Sequence, residues 1–419
     1  MRDKIVVVGG GFAGLKFARK LNGKKGQKVM LIDKANHHAF QPLFYQVASG
    51  RIEPSNISFP FRKIFQKSSN VQFRMTEVRT ILPEENKIIT ADGTFSYDKL
   101  VIATGCRSNF FGNQKMENLT FGMKNTQEAI SIRNHVLMTF EKLIIERKRS
   151  DDGNWNIVIV GSGPTGVEMA GAFAEMKKNV LPRDYPHMSF HDLKIILVSS
   201  TEKPLNGMSA DAQTKSEQYL KQLGVEFWSG ERVKDYDGDK VYLESGKTIP
   251  SNNVIWAAGV TGNILGGIEE ENIFKNRFKV DRYNRLLKHH NIYAIGDIAY
   301  METPKYPKGH PQLANVALSQ AKNLAENFLR KDKKSWKEFE YFDKGTMATI
   351  GKHRAVVDLP HWKFQGVFAW YFWMFLHLML ILTVRNKLAI FFNWMWSYFN
   401  RDSSLRLIIV SSTKNNTEQ

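Results

Sequence analysis

Two glycine-rich turns, about 150 residues apart, constrain the fold of this chain more than any other feature of its sequence. The first lies in KIVVVGGGFAGLKFARKL (4–21) and the second in IVIVGSGPTGVEMAG (157–171). Each follows an apolar run that is typical of a buried parallel strand, and each opens a segment with helical spacing of its apolar residues. The sequence therefore predicts two strand–turn–helix units, each the start of a βαβ fold.

Both turns have the spacing GxGxxG, in which each glycine has a mechanical role. The first allows a tight turn, the second lets the backbone approach a pyrophosphate, and the third lets helix and strand pack closely. The helix N-terminus then offers free N–H groups to the anion. We predict that each turn binds a dinucleotide; a glycine-rich turn that binds nothing is the alternative. The first unit also places Asp33 at the end of its next strand, where an acid holds a ribose hydroxyl.

The rest of the pattern indicates further alternation of strands and helices. Apolar strands are predicted at 28–33, 96–105, 194–200, 253–260 and 291–299, and helices at 126–149 and 313–331. Residues 224–250 are typical of antiparallel strands joined by turns. We predict an α/β fold with two Rossmann-like domains.

The net charge and the cysteine content restrict the kinds of partner and of metal site that this chain can have. The formal net charge of +18 favours an anionic partner, which could be nucleic acid, a membrane surface or a phosphorylated cofactor. No run is typical of an RRM, a zinc finger or a basic zipper, so we expect no nucleic-acid partner. The one cysteine, Cys106, permits neither an internal disulfide nor a cysteine-based metal cluster. We expect it to be a small buried filler, and we expect no metal site.

Three short stretches, VIATG (101–105), AAG (257–259) and YAIGD (293–297), accompany the two turns. Together they resemble the two-dinucleotide-domain flavoproteins. The resemblance implies FAD at the first turn and NAD(P)H at the second. It also implies that Asp297 contacts the ribityl or pyrophosphate part of FAD, whereas an ordinary aspartate at a strand end is the alternative.

Longer motifs, NHHAFQPLFYQVASG (36–50), DKGTMATIGKHRAVVDL (343–359) and the aromatic C-terminus, closely resemble the type II NADH:quinone oxidoreductases. This resemblance covers nearly the whole chain. It implies a monotopic membrane enzyme that transfers a hydride from NADH to FAD and two electrons to a quinone, without pumping protons. The cofactor-binding residues predicted in this way are Gly9, Gly11, Phe12, Ala13, Gly14, Asp33, Lys34, Gln46, Ala103, Thr104, Gly105, Asp297, Ala317, Gly161, Gly163, Pro164, Thr165, Gly166, Ser199 and Gly259.

Glu168 follows Gly166 by two residues and matches the glutamate of the family's GVE motif. The resemblance implies a place near the nicotinamide and the flavin, where a carboxylate could orient the amide or assist proton movement. An acid that only interacts with the helix dipole is the alternative.

The family's quinone motif, AQxAxQ with a trailing glutamine, is altered here. Asn315 and Ser319 replace its two glutamines, and Gln320 keeps the trailing amide. All three side chains can hydrogen-bond a quinone carbonyl, so we predict them, with Glu168, as the catalytic residues. A plain amphipathic helix that packs on the FAD domain is the alternative.

The second βαβ unit departs from the pattern that selects NADH. Its second strand ends at Ser199, where an acid usually binds the ribose 2′-OH and repels a 2′-phosphate. Glu202 is close in sequence and could substitute. We still expect NADH as the substrate.

The C-terminal segment is apolar and rich in aromatic residues. Residues 364–382 are 19 residues without Asp, Glu, Lys or Arg, enough for a transmembrane helix when read alone. The next run, 388–399, would span only about 18 Å, too short to cross a bilayer. We predict a helix pair in one leaflet, with a buried dimer interface as the alternative, and expect His377 to be a satisfied core histidine. The cations predicted to meet lipid headgroups are Arg385, Lys387, Arg401 and Arg406.

We therefore predict an FAD-binding domain (1–112 and 262–345), an NADH-binding domain (113–261) and a membrane-association domain (346–419). Because the N-terminus enters a strand at once, we expect no signal peptide and a position on the cytoplasmic face of the cell membrane. We also expect a homodimer. A soluble reductase with a protein acceptor is one alternative, which the aromatic C-terminus argues against. A non-enzymatic flavin sensor is another, which Glu168 and the second turn argue against.

Overall fold

The computed structural model describes residues 3–146, 153–400 and 406–408. The α-helices of these residues, in chain order, are α1 (Phe12–Leu21), α2 (Phe44–Ala48), α3 (Phe61–Ile64), α4 (Gln114–Leu119), α5 (Thr126–Glu146), α6 (Pro164–Asn179), α7 (Leu181–Asp184), α8 (Ala210–Gln222), α9 (Ala314–Phe328), α10 (Val367–Leu380) and α11 (Val384–Asn400).

The strands of the same residues, in chain order, are β1 (Asp3–Val8), β2 (Gln27–Asp33), β3 (His37–Ala39), β4 (Ser58–Pro60), β5 (Val71–Met75), β6 (Val78–Leu82), β7 (Lys87–Thr90), β8 (Gly93–Ser96), β9 (Lys99–Ile102), β10 (Cys106–Ser108), β11 (Ile157–Val160), β12 (Ile195–Val198), β13 (Val225–Trp228), β14 (Val233–Tyr236), β15 (Lys240–Leu243), β16 (Thr248–Pro250), β17 (Asn253–Trp256), β18 (Val260–Gly262), β19 (Ile273–Phe274), β20 (Arg277–Lys279), β21 (Ile292–Ala294), β22 (Ala299–Tyr300), β23 (Thr346–Thr349), β24 (Ala355–Asp358) and β25 (Lys363–Gly366).

The chain divides into two compact units, and each contains one glycine turn. The first unit is Met1–Ala39, Ser58–Arg107 and Val260–Lys344; the second is Phe40–Ile57, Ser108–Gly259 and Gly345–Gln419. The predicted NADH-binding and membrane-association segments therefore belong to one unit, which also takes in residues 40–57 from the predicted FAD-binding segment.

A parallel sheet forms the centre of the first unit, in the order β21-β9-β1-β2-β5. Four consecutive residues of β1, Ile5–Val8, are buried, as expected for a strand covered on both faces. Helices α1 and α9 pack against each other beside this sheet. The first predicted βαβ unit is β1–α1–β2.

The second unit repeats this arrangement with the parallel order β13-β12-β11-β17. All residues of β11, β12 and β17 are buried. The prediction that residues 224–250 are only antiparallel strands is wrong for β13, because it pairs in parallel with β12; β14, β15 and β16 form the antiparallel sheet. The last three residues of the helix predicted at 126–149 lie outside the described residues.

The C-terminal segment differs from its predicted division. Its apolar run begins as β25 and becomes helical only after Gly366, whose φ is +89°. The following helix α11 begins earlier than predicted and has 17 residues, because the Thr383 hydroxyl accepts the Asn386 amide and caps its first turn.

No helix among the described residues has both the length and the apolar character to traverse a bilayer.

Candidate functional site

The first glycine turn has no room for a side chain at Gly9 and Gly14, and it has open space at the middle glycine, Gly11. A Cβ on Gly9, whose φ is +101°, would lie 2.3 Å from the Ala103 carbonyl oxygen, and one on Gly14 would lie 1.8 Å from that of Gly9. A Cβ on Gly11 would meet nothing within 4 Å. Gly9 and Gly14 are therefore needed for packing, and the missing side chain of Gly11 keeps the space before α1 open.

Polar groups surround that space. Asp33 accepts the backbone amides of Gly10 (2.6 Å) and Ala35 (2.7 Å) on its two carboxylate oxygens. Burial raises the pKa of Asp33, and these two bonds oppose the rise. Since no side chain caps α1, the amides of its first turn stay available for an anion.

A cavity of about 600 Å³ opens at this turn, at the carboxyl ends of the parallel strands. Of the predicted residues it is lined by Gly9, Asp33, Lys34 and Thr104. The prediction missed the lining residues Val8, Ile32, Thr76, Glu77, Val78, Arg79, Arg107, Gly262, Asn263, Ile264, Leu265 and Asn276. Residues 76–79 follow β5, the neighbour of β2. Because ligands bind at the carboxyl ends of parallel strands, this rule could have identified these four residues from the sequence.

His38 is a second contact of this turn that the prediction missed. Its ring is 4% exposed, and its Nδ1 donates to the Gly10 carbonyl over 3.0 Å. Burial lowers the pKa of His38 to about 4, so the ring is neutral at pH 7. The predicted residue Phe12 packs edge-on against it, with ring centroids 5.2 Å apart.

Asp297 lies in the turn that follows β21, where the prediction placed it. Its carboxylate accepts the Cys106 thiol over 3.0 Å, and its carbonyl accepts the Gln312 side chain. The expectation that Cys106 is a buried filler is wrong: the residue is partly exposed and hydrogen-bonded. It follows the Gly105 turn after β9, and because β9 and β21 are parallel neighbours, their carboxyl ends bring Cys106 to Asp297.

The helix α9 carries the residues predicted to contact a quinone. Gln320 is 1% exposed, and its side-chain oxygen accepts the Gly296 amide over 2.8 Å, so that oxygen is already used within the fold. Asn315 and Ser319 are half-buried one turn apart on the same helix. Ala317, in the first turn of α9, lies close to Gly296. The quinone contacts of Asn315, Ser319 and Gln320 stay predictions.

The second glycine turn repeats the geometry of the first. A Cβ on Gly161, whose φ is +105°, would lie 2.7 Å from the Ala257 carbonyl oxygen, and one on Gly166 would lie 1.8 Å from that of Gly161. A Cβ on Gly163 would meet nothing within 4 Å. Pro164 begins α6, which also has no side-chain cap, and its amides at Thr165 and Gly166 stay available for an anion.

Ser199 occupies the place that Asp33 has in the first unit. Its hydroxyl is 2.6 Å from that of Ser162 and 2.9 Å from that of Thr201, and the residue is 4% exposed. Glu202 is exposed, and its carboxylate lies near Gly230 in the turn after β13. No carboxylate therefore occupies the strand end itself. The predicted residue Gly259 lies in the turn after β17, with φ +92°.

Glu168 lies in α6 and is half-buried, with its carboxyl group against Thr349. Its Oε1 accepts the backbone amide of Thr349 over 3.4 Å. Burial raises the pKa of Glu168 to about 8, against the opposing bonds from Thr349. The carboxyl group therefore keeps its proton at pH 7, which an acid exposed at a helix start does not.

Gln46 lies on α2, in the second unit. Its nitrogen donates to the Tyr45 hydroxyl over 2.9 Å, and its oxygen accepts the Trp394 indole over 2.8 Å. Both ends of the amide are thus used within the protein. Its role in cofactor binding stays a prediction.

The C-terminal helices expose a broad aromatic surface. Phe368 is 71% exposed, and Phe392 and Trp396 are each 64% exposed. His377 is satisfied, as predicted: its Nδ1 donates to the Trp373 carbonyl, and its ring stacks on Trp373 at 4.0 Å. The guanidinium of Arg406 pairs with Asp184 at 2.7 Å, and its contact with lipid headgroups stays a prediction. Arg401 lies outside the described residues.

Known proteins share both the sequence and the fold. The profile of the pyridine nucleotide-disulphide oxidoreductases matches residues 3–321, and that of the NDH2 C-terminal domain matches residues 344–402. A solved structure of NDH2 from Plasmodium falciparum in complex with NADH superposes with a TM-score of 0.89 at 20% identity, over 98% of this chain and all of that chain. At that identity the likeness shows the fold alone, and it confirms the predicted α/β fold with its C-terminal helical segment.

Two curated relatives from Mycobacterium tuberculosis are more similar in sequence. The type II NADH:quinone oxidoreductase NdhA is 30% identical, over 96% of this chain and 88% of the relative. The type II NADH:quinone oxidoreductase Ndh is 31% identical, over 94% of this chain and 87% of the relative. At this identity and coverage, the chain belongs to the family of type II NADH:quinone oxidoreductases.

Proposed function

We propose that this enzyme transfers a hydride from NADH to FAD and two electrons onward to a membrane quinone, without pumping protons. The observation that carries the proposal is the pair of matching turns. In each, two glycines meet backbone too closely for a side chain, whereas the middle glycine, Gly11 or Gly163, faces open space. That arrangement suits two separate pyrophosphates.

The first unit fits FAD. The uncapped start of α1 offers amides to the pyrophosphate, and Asp33 offers its carboxylate to a ribose hydroxyl. Lys34, Arg79 and Arg107 line the same cavity and favour an anionic ligand. FAD, when bound, supplies the two-electron redox chemistry.

The second unit fits NADH as a substrate. The start of α6 offers amides to its pyrophosphate, and the Ser199 hydroxyl lies at the end of β12, where a ribose would bind. Glu168 holds a proton at pH 7, because its pKa is about 8. Quinone reduction consumes two protons, so a carboxyl group that releases its proton near neutral pH suits a general acid.

The exposed aromatic residues of α10 and α11 support peripheral attachment to the cell membrane. Trp396 is suited to the interface between lipid and water. Arg385 is exposed at the start of α11, where it can meet anionic headgroups on the cytoplasmic face. The same apolar surface is available for contact between two copies, and a homodimer is part of the proposal.

An anaerobic spectrum tests the reaction directly. The purified yellow protein should bleach when NADH is added and recover its colour when a soluble quinone follows. If the quinone does not restore the colour of the bleached protein but a ferredoxin does, the result would instead support the reductase with a protein acceptor. Absence of bleaching would contradict an enzyme altogether. Flotation with liposomes, with and without anionic lipid, tests the attachment separately.

A further inference from the structure

A chain of hydrogen bonds within the second unit connects the C-terminal helix α11 to Glu168. The Trp394 indole donates to Gln46 Oε1 over 2.8 Å, and Gln46 Nε2 donates to the Tyr45 hydroxyl over 2.9 Å. The Tyr45 hydroxyl lies 3.0 Å from Thr349 Oγ1. Thr349 then donates to the Glu168 carboxyl group from its amide, over 3.4 Å, and from its hydroxyl.

The indole fixes the orientation of the Gln46 amide, the second link of this chain. An indole N–H donates only, so the oxygen of the Gln46 amide must face Trp394 and its nitrogen must face Tyr45. A Tyr45 oxygen that accepts from Gln46 keeps its own proton for Thr349. When Glu168 is ionised it can only accept, so the Thr349 hydroxyl donates to it and the Thr349 oxygen accepts the bond from Tyr45. All donors therefore point at the carboxyl group, and aligned hydrogen bonds strengthen one another.

The links between the two ends are shielded from water. Tyr45, Gln46 and Thr349 are 4%, 5% and 2% exposed. Burial and the nearby Glu168 both raise the pKa of Tyr45, so the phenol remains protonated and able to donate. Water therefore competes little for the hydrogen bonds of these three residues.

We propose that Trp394 is a positioning residue, which holds the Gln46 amide in one orientation and thereby aims the Tyr45 and Thr349 hydroxyl protons at Glu168 so that the ionised carboxylate is favoured. This inference rests on the proposed function for the catalytic use of Glu168. Since α11 belongs to the surface proposed to contact lipid, the chain links that surface to the protonation of a half-buried acid.

Other elements that pack against α6 also carry charged groups: α8 has Asp211, Lys215, Glu217 and Lys221, and α7 has Arg183 and Asp184. Strands β11 and β12 carry no ionisable side chains. Several charged groups of the second unit have partners of their own: Arg51 with Glu175, Lys352 with the Ser397 carbonyl, Glu226 with Lys194, Asp184 with Arg406, and Arg354 over the Tyr219 ring. Burial and the bonds from Thr349 are thus the main influences on Glu168.

An infrared titration of the carboxyl band in the FAD-loaded enzyme tests the proposed effect of Trp394 on Glu168 without relying on turnover. The Glu168 band is the one that disappears in Glu168→Gln, and in the wild type it should titrate near pH 8. In Trp394→Phe the Gln46 amide can turn over and reverse the chain, so the midpoint should rise by about half to one pH unit.

Trp373→Phe is the matched control. The Trp373 indole N–H has no acceptor among the described residues, and its ring packs 5.7 Å from that of Trp394. This variant loses a similar volume from the same helix pair but no bond of the chain, so its midpoint should stay at the wild-type value. Equal midpoints in Trp394→Phe and Trp373→Phe would overturn the proposal.

Two more variants test the intermediate links. Tyr45→Phe should also raise the midpoint, and it remains informative if Trp394→Phe does not fold; an unchanged midpoint would contradict the chain. Adding Trp394→Phe to Thr349→Val should cause no further shift, because the link to Glu168 is already lost. If the midpoints shift as expected but Glu168→Gln keeps full quinone turnover, the chain stands and the catalytic use of Glu168 fails.

Discussion

The two glycine turns have the same backbone geometry and different polar partners at the strand end. In both, the first and third glycines are needed for close packing and the second faces open space. The first turn has the Asp33 carboxylate, which accepts two backbone amides, whereas the second has the neutral hydroxyl pair of Ser162 and Ser199. The difference teaches that the glycines give both turns the same open space, so that in the proposed sites the strand-end residue is the part that can distinguish the two ligands.

The largest effect is expected where the two turns are most alike, at the third glycine. A Cβ at Gly14 or Gly166 would lie 1.8 Å from a backbone oxygen, which cannot move away as a flexible side chain would. Gly14→Ala and Gly166→Ala should each lower the free energy of unfolding by about 3 kcal/mol or more. Urea unfolding of each variant measures this loss of free energy of unfolding. A variant at either position with wild-type stability would contradict the close packing of helix on strand as the reason for that glycine.

Substitutions of the two middle glycines should show that the two turns bind different ligands. Gly11→Val and Gly163→Val each place a side chain in open space, so both proteins should fold. Gly11→Val should purify with almost no flavin. Gly163→Val should keep its flavin, while its KM for NADH rises tenfold or more. Flavin absorbance and NADH titration measure these outcomes, and full flavin content in Gly11→Val would disprove the FAD site.

A fall in pH should lower the free energy of unfolding through protonation of His38, which contacts the first turn. Its pKa is about 4 in the folded protein and about 6.5 when unfolded, so the unfolded chain binds more protons between these values. The stability due to the neutral ring is complete above pH 6.5 and is lost as the pH falls toward 4, by about 3 kcal/mol in total. His38→Gln should lack this part of the pH dependence in urea unfolding.

An exposed histidine provides the control for that experiment. The His191 side chain is 90% exposed, and His191→Gln should follow the wild-type pH dependence. If His38→Gln loses stability in acid as steeply as the wild type does, another group is responsible and the buried neutral ring is not the cause.

The parts of the fold that follow from local spacing could be predicted from the sequence. The strand–turn–helix units of both turns depend on glycines within six residues and on an apolar run beside them, so short-range rules suffice. The parallel pairing of β13 with β12 was not predictable in this way, because its four residues match a half-buried antiparallel strand equally well.

Contacts between distant residues were the part of the site that sequence could not supply. Glu168 was predicted, but its partner Thr349 is 181 residues away, and Gln46 meets Trp394 across 348 residues. No spacing rule encodes such pairs, since they depend on how the elements of the second unit pack. The motifs that contain Gln46 and Thr349 indicated that these stretches matter, without indicating which side chains meet.

The smallest expected effect comes from making the second turn resemble the first. Ser199→Asp places a carboxylate at the end of β12, as Asp33 stands at the end of β2, and the Ser162 hydroxyl can donate to it. A carboxylate there accepts the ribose 2′-OH of NADH and repels the 2′-phosphate of NADPH. The ratio of kcat/KM for NADH over NADPH should therefore rise about tenfold, which is about 1.4 kcal/mol of discrimination. Ser199→Asn is the control of equal size, and its ratio should remain near that of the wild type. Should Ser199→Asp leave the ratio unchanged while Glu202→Gln lowers it, the exposed Glu202 makes the selection, and the strand end of the second turn has no part in the choice between the two nucleotides.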